Sequence, residues 1–322
     1  MKFAKSAKLA LGAMVIAGAF AQTSAFAQSV AVTSIVEHPA LDSIKDGVKD
    51  ALKAGGYTEA KGLKWQFQTA QGNTAIAAQI ARKFVGDNPD VIVAIATPSA
   101  QAVVAATKKI PVVYSAVTDP VAAQLVPSMA PSGTNVTGIS DGLALEKQID
   151  LIKKVVPNAK RVGMVYNPGE ANSVVVVKQM RELLPKSDMT LVEASAARTV
   201  DVGAAARSLV GKVDVIYTST DNNVVSAYES LVKVGNDAKI PLIASDTDSV
   251  KRGAIAALGV NYYDLGVQTG KQVIKILKGQ KPGEMPSETS DKLELYVNPA
   301  AAKKQGVTLT DAFIKSAAKV VK

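Results

Sequence analysis

The chain has 322 residues, a formal net charge of +9, no Cys and a single His. That length suits two lobes, since domains usually run to roughly 100–200 residues. The missing Cys rules out disulfides, thiolate metal sites and a Cys nucleophile. One His leaves no multi-His metal centre, so neither metal nor cofactor is expected.

Residues 2–8 carry Lys2, Lys5 and Lys8 without an acidic residue, an apolar run covers 9–20, and Ala25-Phe26-Ala27 follows. A basic start, a short apolar core and a small-x-small site make up a secretory signal peptide over 1–27. The apolar run is too short for a membrane span, which needs about 20 residues. With no Cys after Ala27 to carry a lipid, the product is expected free in the periplasm. The basic balance then implies a solvated surface rather than nucleic acid, because no basic cluster or stacking-aromatic motif accompanies it.

From residue 28 onward, short β-branched runs alternate with amphipathic stretches. The pattern predicts strands over 30–36, 64–69, 91–96, 112–116 and 136–139, with helices over 40–53, 73–85 and 99–108 between them. Continuous apolar strands such as VIVAIA are what a sheet buried on both faces needs. The series restarts with a helix over 145–155, then strand 161–166, helix 173–184, strand 191–194 and helix 202–210. Strand 213–218, helix 224–238 and strand 241–244 complete it. Strand 254–260, helix 264–277, strand 293–297 and a C-terminal helix over 309–321 close the chain. Strands alternating with helices indicate βαβ units and doubly wound sheets.

An internal echo supports two similar units. Residues 110–118 read IPVVYSAVT and residues 240–248 read IPLIASDTD, each following a helix that follows an Asp-led strand. The predicted architecture is α/β, with two Rossmann-like lobes, each a doubly wound parallel sheet, and a ligand cleft between them. The first lobe is expected over 28–140 plus 261–285, and the second over 141–260 plus 286–322. Crossings fall near 138–142, near 260–263 and somewhere after Gly279.

Open parallel sheets bind ligands at the carboxyl ends of their strands. In the first lobe those ends offer His38, Thr97, Ser99, Thr118 and Asp119. In the second they offer Glu170, Asn172, Ser173, Asp221, Asn222, Asp246 and Thr247, with Asp248 beside them. Thr97-Pro98-Ser99 opens a helix, whose free N–H groups suit a carboxylate. The second lobe's acids suit an ammonium through charge-assisted hydrogen bonds. No Arg or Lys lies in these motifs, so a zwitterion, and hence an amino acid, fits. The same residue types are also ordinary turn formers and N-caps, and each carries that second reading. His38 reads as a wall of the cleft rather than a catalytic base.

The motifs TPSAQ (97–101), VTDPV (117–121), NPGEANS (167–173), TSTDNN (218–223) and SDTDSV (245–250) resemble the ABC-transporter solute-binding proteins of the tryptophan/tyrosine-binding group, a branch of the type I periplasmic-binding-protein fold. The resemblance covers essentially the whole chain after residue 27. It implies a monomer that captures a small ligand by lobe closure and delivers it to an inner-membrane ABC permease. It also implies that the ligand amine meets Asp246 and Glu170 and the carboxylate meets the helix start at Ser99. Enzyme readings lack support, with no GxGxxG after the first strand, no P-loop and no GxSxG. A periplasmic sugar- or nucleoside-binding protein of the same fold is the alternative.

Overall fold

A computed structural model describes residues 28–290 and 292–321. The signal-peptide expectation over 1–27 lies outside the described residues. Among the described residues no helix is long and apolar enough to cross a membrane.

The first series runs β1 (Ser29–Ser34), α1 (Pro39–Ala54), β2 (Lys64–Thr69), α2 (Thr74–Asp87), β3 (Val91–Ile95), α3 (Thr97–Ala106), β4 (Val112–Val117) and β5 (Val136–Ser140). The second runs α4 (Leu145–Val155), β6 (Arg161–Tyr166), α5 (Ala171–Leu183), β7 (Thr190–Ser195), α6 (Val202–Ser208), β8 (Val215–Thr218), α7 (Asn222–Ser226), α8 (Tyr228–Ala238), β9 (Leu242–Ala244), α9 (Asp248–Arg252) and β10 (Ala256–Val260). Then come α10 (Tyr262–Leu277), β11 (Glu288–Thr289), β12 (Leu293–Val297), α11 (Pro299–Lys304), α12 (Asp311–Lys315) and β13 (Lys319–Val320).

Two sheets result, ordered β11-β5-β4-β3-β1-β2 and β13-β12-β10-β9-β8-β6-β7. Central strands such as β3 are buried along their whole length, because helices cover both faces. At the edge, β2 is only half-buried and reads KWQFQT. In α1 the apolar residues Leu41, Ile44, Val48 and Leu52 recur at helical spacing and face the core, and Pro39 sits in the first turn, where a missing N–H costs nothing.

The chain passes between the sheets three times, over 141–144, at Asn261, and between Thr289 and Leu293. The last passage corrects the sequence boundary at 286. Glu288 and Thr289 pair in parallel with Ile139 and Ser140, so the strand edge of β5 holds the chain in the first sheet past that point. Residues Tyr262, Leu265, Val273 and Ile276 of α10 pack into the first lobe's core. The helix crosses α1 so closely that a Cβ on Gly270 would lie 2.6 Å from Ala51 Cβ, and one on Gly266 would collide with the Ile44 backbone.

Two further expectations change. Strand β12 runs antiparallel to β10, so the second sheet is mixed rather than parallel. The helix expected over 309–321 shrinks to one Thr310-capped turn, α12, and Lys319–Val320 pair with β12 instead. An uncovered sheet edge offers a row of unpaired backbone groups, and pairing with it outcompetes a short amphipathic helix.

Candidate ligand-binding site

Residues just past the carboxyl ends of β1, β3, β4, β5, β6, β8, β9 and β10 line the gap between the sheets. Two adjoining cavities lie there, and Thr118, Asp141 and Thr220 line both. The inner cavity measures about 20 Å³, room for one water-sized group or so. The outer one measures about 180 Å³.

The inner cavity takes its first wall from His38, Thr97 and Thr118, its second from Asn172, Asn222 and Asp246, and its floor from Asp141 and Tyr262 at the crossings. The lobes meet directly across it, with the hydroxyls of Thr118 and Thr220 3.3 Å apart.

His38 caps α1, its Nδ1 accepting from Leu41 N–H at 3.5 Å. Burial, aided by the charge of Arg252, lowers its pKa to about 3, which keeps the ring neutral. Helix α3 begins without a side-chain cap. Thr97 Oγ1 and Ser99 Oγ are buried without partners there, and Thr97 lines the inner cavity. The residue before the helix, Ala96, holds φ 72° and ψ 155°, a region that suits glycine. Ala116, at the bulge that shifts β4 against β5, holds φ 53°. Both strained residues line the inner cavity, and such strain clusters where a ligand is gripped.

Asp246 accepts from Ser249 N–H at 2.8 Å and from Ser249 Oγ at 2.6 Å. Asp141 accepts from Tyr262 OH at 2.9 Å and from Thr118 Oγ1 at 3.4 Å. Every one of these partners is neutral. Burial raises the pKa of each carboxyl, and Asp246 raises that of Asp141 further. Two carboxylates that cost this much to ionise want a cation between them.

Glu170, Ser173 and Asp221 stand back from both cavities. Asp221 accepts from Val224 N–H at 3.0 Å as the cap of α7, and from Ser173 Oγ at 2.6 Å. The Glu170 carboxylate is spent on asparagines, accepting from Asn222 Nδ2 at 2.6 Å and Asn172 Nδ2 at 3.0 Å. Its place behind Asn172 and Asn222 departs from direct ligand contact. Asp119 caps the following turn through Ala122 N–H at 2.9 Å and borders the outer cavity. Thr247 sits at the start of α9 and borders neither cavity; Asp248 is paired with Lys251 at 2.6 Å. Leu143, Val175, Val176, Tyr217 and Gln179 line the outer cavity.

Sequence reasoning missed Asp141, Tyr262 and Thr220. Asp141 follows β5 and obeys the strand-end rule, but Asp-Gly there reads as a turn. Among the described residues no group of three or more acids and His could hold a metal.

A family model described as ABC transporter substrate binding protein matches residues 29–321. The chain belongs to that family. A tyrosine-binding protein of Clostridioides difficile is 42% identical to this substrate-binding protein over 270 residues, 84% of this chain and 78% of the relative. The structure of an ABC domain in complex with L-Trp from Streptococcus pneumonia superposes with a TM-score of 0.88 at 32% identity, over 91% of this chain and 99% of that one. A ligand-free, open substrate-binding protein from Clostridium difficile gives only 0.69 despite 39% identity, over 92% and 99%. The ligand-bound relative therefore superposes better than the open one although its sequence is less alike.

Proposed function

We propose that the chain captures a zwitterionic amino acid with an aromatic or other apolar side chain in the periplasm and presents it to an ABC importer's permease. The observation that carries this reading is the pair of buried carboxylates, Asp141 and Asp246, lining one small cavity with neutral hydrogen-bond partners. The ligand ammonium sits between them. Its carboxylate takes the uncapped start of α3, where helix N–H groups favour an anion. The side chain occupies the outer cavity, against Leu143, Val175, Val176 and Tyr217. The names of the similar proteins support an aromatic amino acid.

Calorimetry with L-tyrosine, L-tryptophan and their N-acetyl forms tests the reading. Binding of the free amino acids and rejection of the acetylated ones is expected. A sugar or nucleoside that shifts the melting temperature where no amino acid does would replace it. No ligand should be chemically altered.

Closure around the ligand is a rigid-body movement about the three crossings. The expected radius of gyration by solution scattering is smaller with L-tyrosine or L-tryptophan than without. An unchanged radius at saturation contradicts closure.

Acid should weaken binding. Burial places the carboxyls of Asp141 and Asp246 above the ordinary carboxylate range, and the ammonium binds their ionised forms. Binding therefore releases protons, and affinity rises as pH climbs from about 4 toward neutrality. Without ligand the sign reverses, because raised acid pKa values stabilise the folded state at low pH and lose that contribution as pH rises. Opposite pH slopes of apo melting temperature and ligand affinity are expected.

A further inference from the structure

Asn172 and Asn222 both face the inner cavity, and an amide can turn either its oxygen or its NH2 toward a ligand. The choice here is made from behind. Asn172 Nδ2 donates to Glu170 Oε2 at 3.0 Å, to Thr220 O at 3.1 Å and to Ser173 Oγ at 3.4 Å. Asn222 donates twice to the same Glu170 oxygen, from Nδ2 at 2.6 Å and from its backbone N–H at 3.2 Å. The other Glu170 oxygen accepts from Asn167 Nδ2 at 3.3 Å. Burial, with the charge of Asp221, raises the Glu170 pKa to about 7, so the carboxylate is ionised above neutrality. In that form it only accepts, and neither amide can flip without setting an oxygen against an oxygen. The opposite end of Asn172, its Oδ1, is buried without a partner.

We propose that Glu170 is a positioning residue that locks the amides of Asn172 and Asn222 so that their oxygens join the Asp141 and Asp246 carboxylates as acceptors for the ligand ammonium. This rests on the reading above that the site holds an ammonium. Four acceptors grouped around one ligand position reject a neutral hydroxyl analogue less by size than by the mismatch of its lone pairs. The lock thus sets selectivity for an amine without touching it. Ser173 and Asp221 brace the same corner, through the 2.6 Å bond between them.

The test compares L-tyrosine with its 2-hydroxy acid analogue on wild type and on Glu170→Gln. Glutamine can donate as well as accept, which frees one asparagine to turn its NH2 to the ligand. Glu170→Gln is expected to weaken L-tyrosine about 10- to 100-fold and to leave the hydroxy acid unchanged or tighter. A merely structural role would weaken both equally, and equal losses overturn the proposal. The swap Glu170→Gln/Asn222→Asp restores an acceptor-only face and is expected to recover most of the lost affinity. Failure to recover, as direct contact between Glu170 and ligand would give, also overturns it. Should Glu170→Gln not fold, Asn222→Ala carries the test, and full retention of L-tyrosine affinity there refutes the lock. Wild-type protein that binds N-acetyl-L-tyrosine as tightly as L-tyrosine, or binds neither, removes the ammonium reading itself and the lock with it. Discrimination by wild type with an indifferent Glu170→Gln removes the lock alone.

Discussion

Asp246→Asn is expected to reduce amino-acid affinity by roughly 2–5 kcal/mol, the usual loss when one partner of a buried charge pair is removed. At 1.4 kcal/mol per tenfold, that is about 30- to several thousand-fold in Kd. The change keeps the side chain's size and leaves an oxygen for the Ser249 N–H bond of 2.8 Å, so packing at the start of α9 survives. The same change should not lower the apo melting temperature, since it deletes a buried charge whose partners are neutral. Affinity and stability thus part company, as they do where a site holds strain or charge for its ligand. Calorimetry and thermal melts on one preparation read both. Wild-type affinity in Asp246→Asn would leave this carboxylate a helix cap only.

Gly266→Val is expected to cost most in stability. Any Cβ at this position runs into the backbone of Ile44 on α1, with the Ile44 Cα 2.8 Å away, and backbone cannot rotate aside as a side chain would. Overpacking costs about 1–3 kcal/mol, and a rigid obstacle puts this case at the upper end. For a lobe of this size a loss near 3 kcal/mol lowers Tm by roughly 6–12 °C. Gly86 provides the control, as an added Cβ there meets nothing within 4 Å. Gly86→Ala on α2 should stabilise by roughly 0.5–1 kcal/mol, by restricting the unfolded chain. Similar losses for both variants would mean that the close crossing of α1 and α10 is not what holds the first lobe together.

Much of the architecture was legible because its cause is local. The run VIVAI is apolar at every position, as only a strand buried on both faces can be, and β3 is buried throughout. The lobed α/β organisation followed from such strands alternating with amphipathic helices. The antiparallel β12 and the edge strand β13 were not legible, since strand direction and edge pairing depend on which partner the chain finds. Helix 224–238 was expected whole, yet it breaks at Ala227, which holds φ −103° and ψ 27° between α7 and α8. Neighbouring Tyr228 is fully buried, a tertiary demand that periodicity does not register. At the site, the strand-end rule found His38, Thr97, Asn172, Asn222 and Asp246 together. It could not rank them against Glu170 and Asp221, whose composition is the same and whose carboxylates turn inward to serve asparagines and a helix cap. Tyr262 lies two residues past β10 and escaped because it opens α10, where an aromatic ring reads as helix core.

The return of α10 to the first lobe also bears on the order in which the protein can be made. Tyr263 OH reaches Asp50 at 2.9 Å across 213 positions of sequence, and Ser115 meets Thr269 at 2.8 Å beneath the same helix. Until residue 277 has left the ribosome, β3, β4 and β5 lack the helix that packs on them, and α1 lacks the partner its glycine seam was cut to fit. Contacts this far apart in sequence form late, after a large loop-closure cost. A nascent chain built this way keeps that seam exposed to chaperones until most of it has been made.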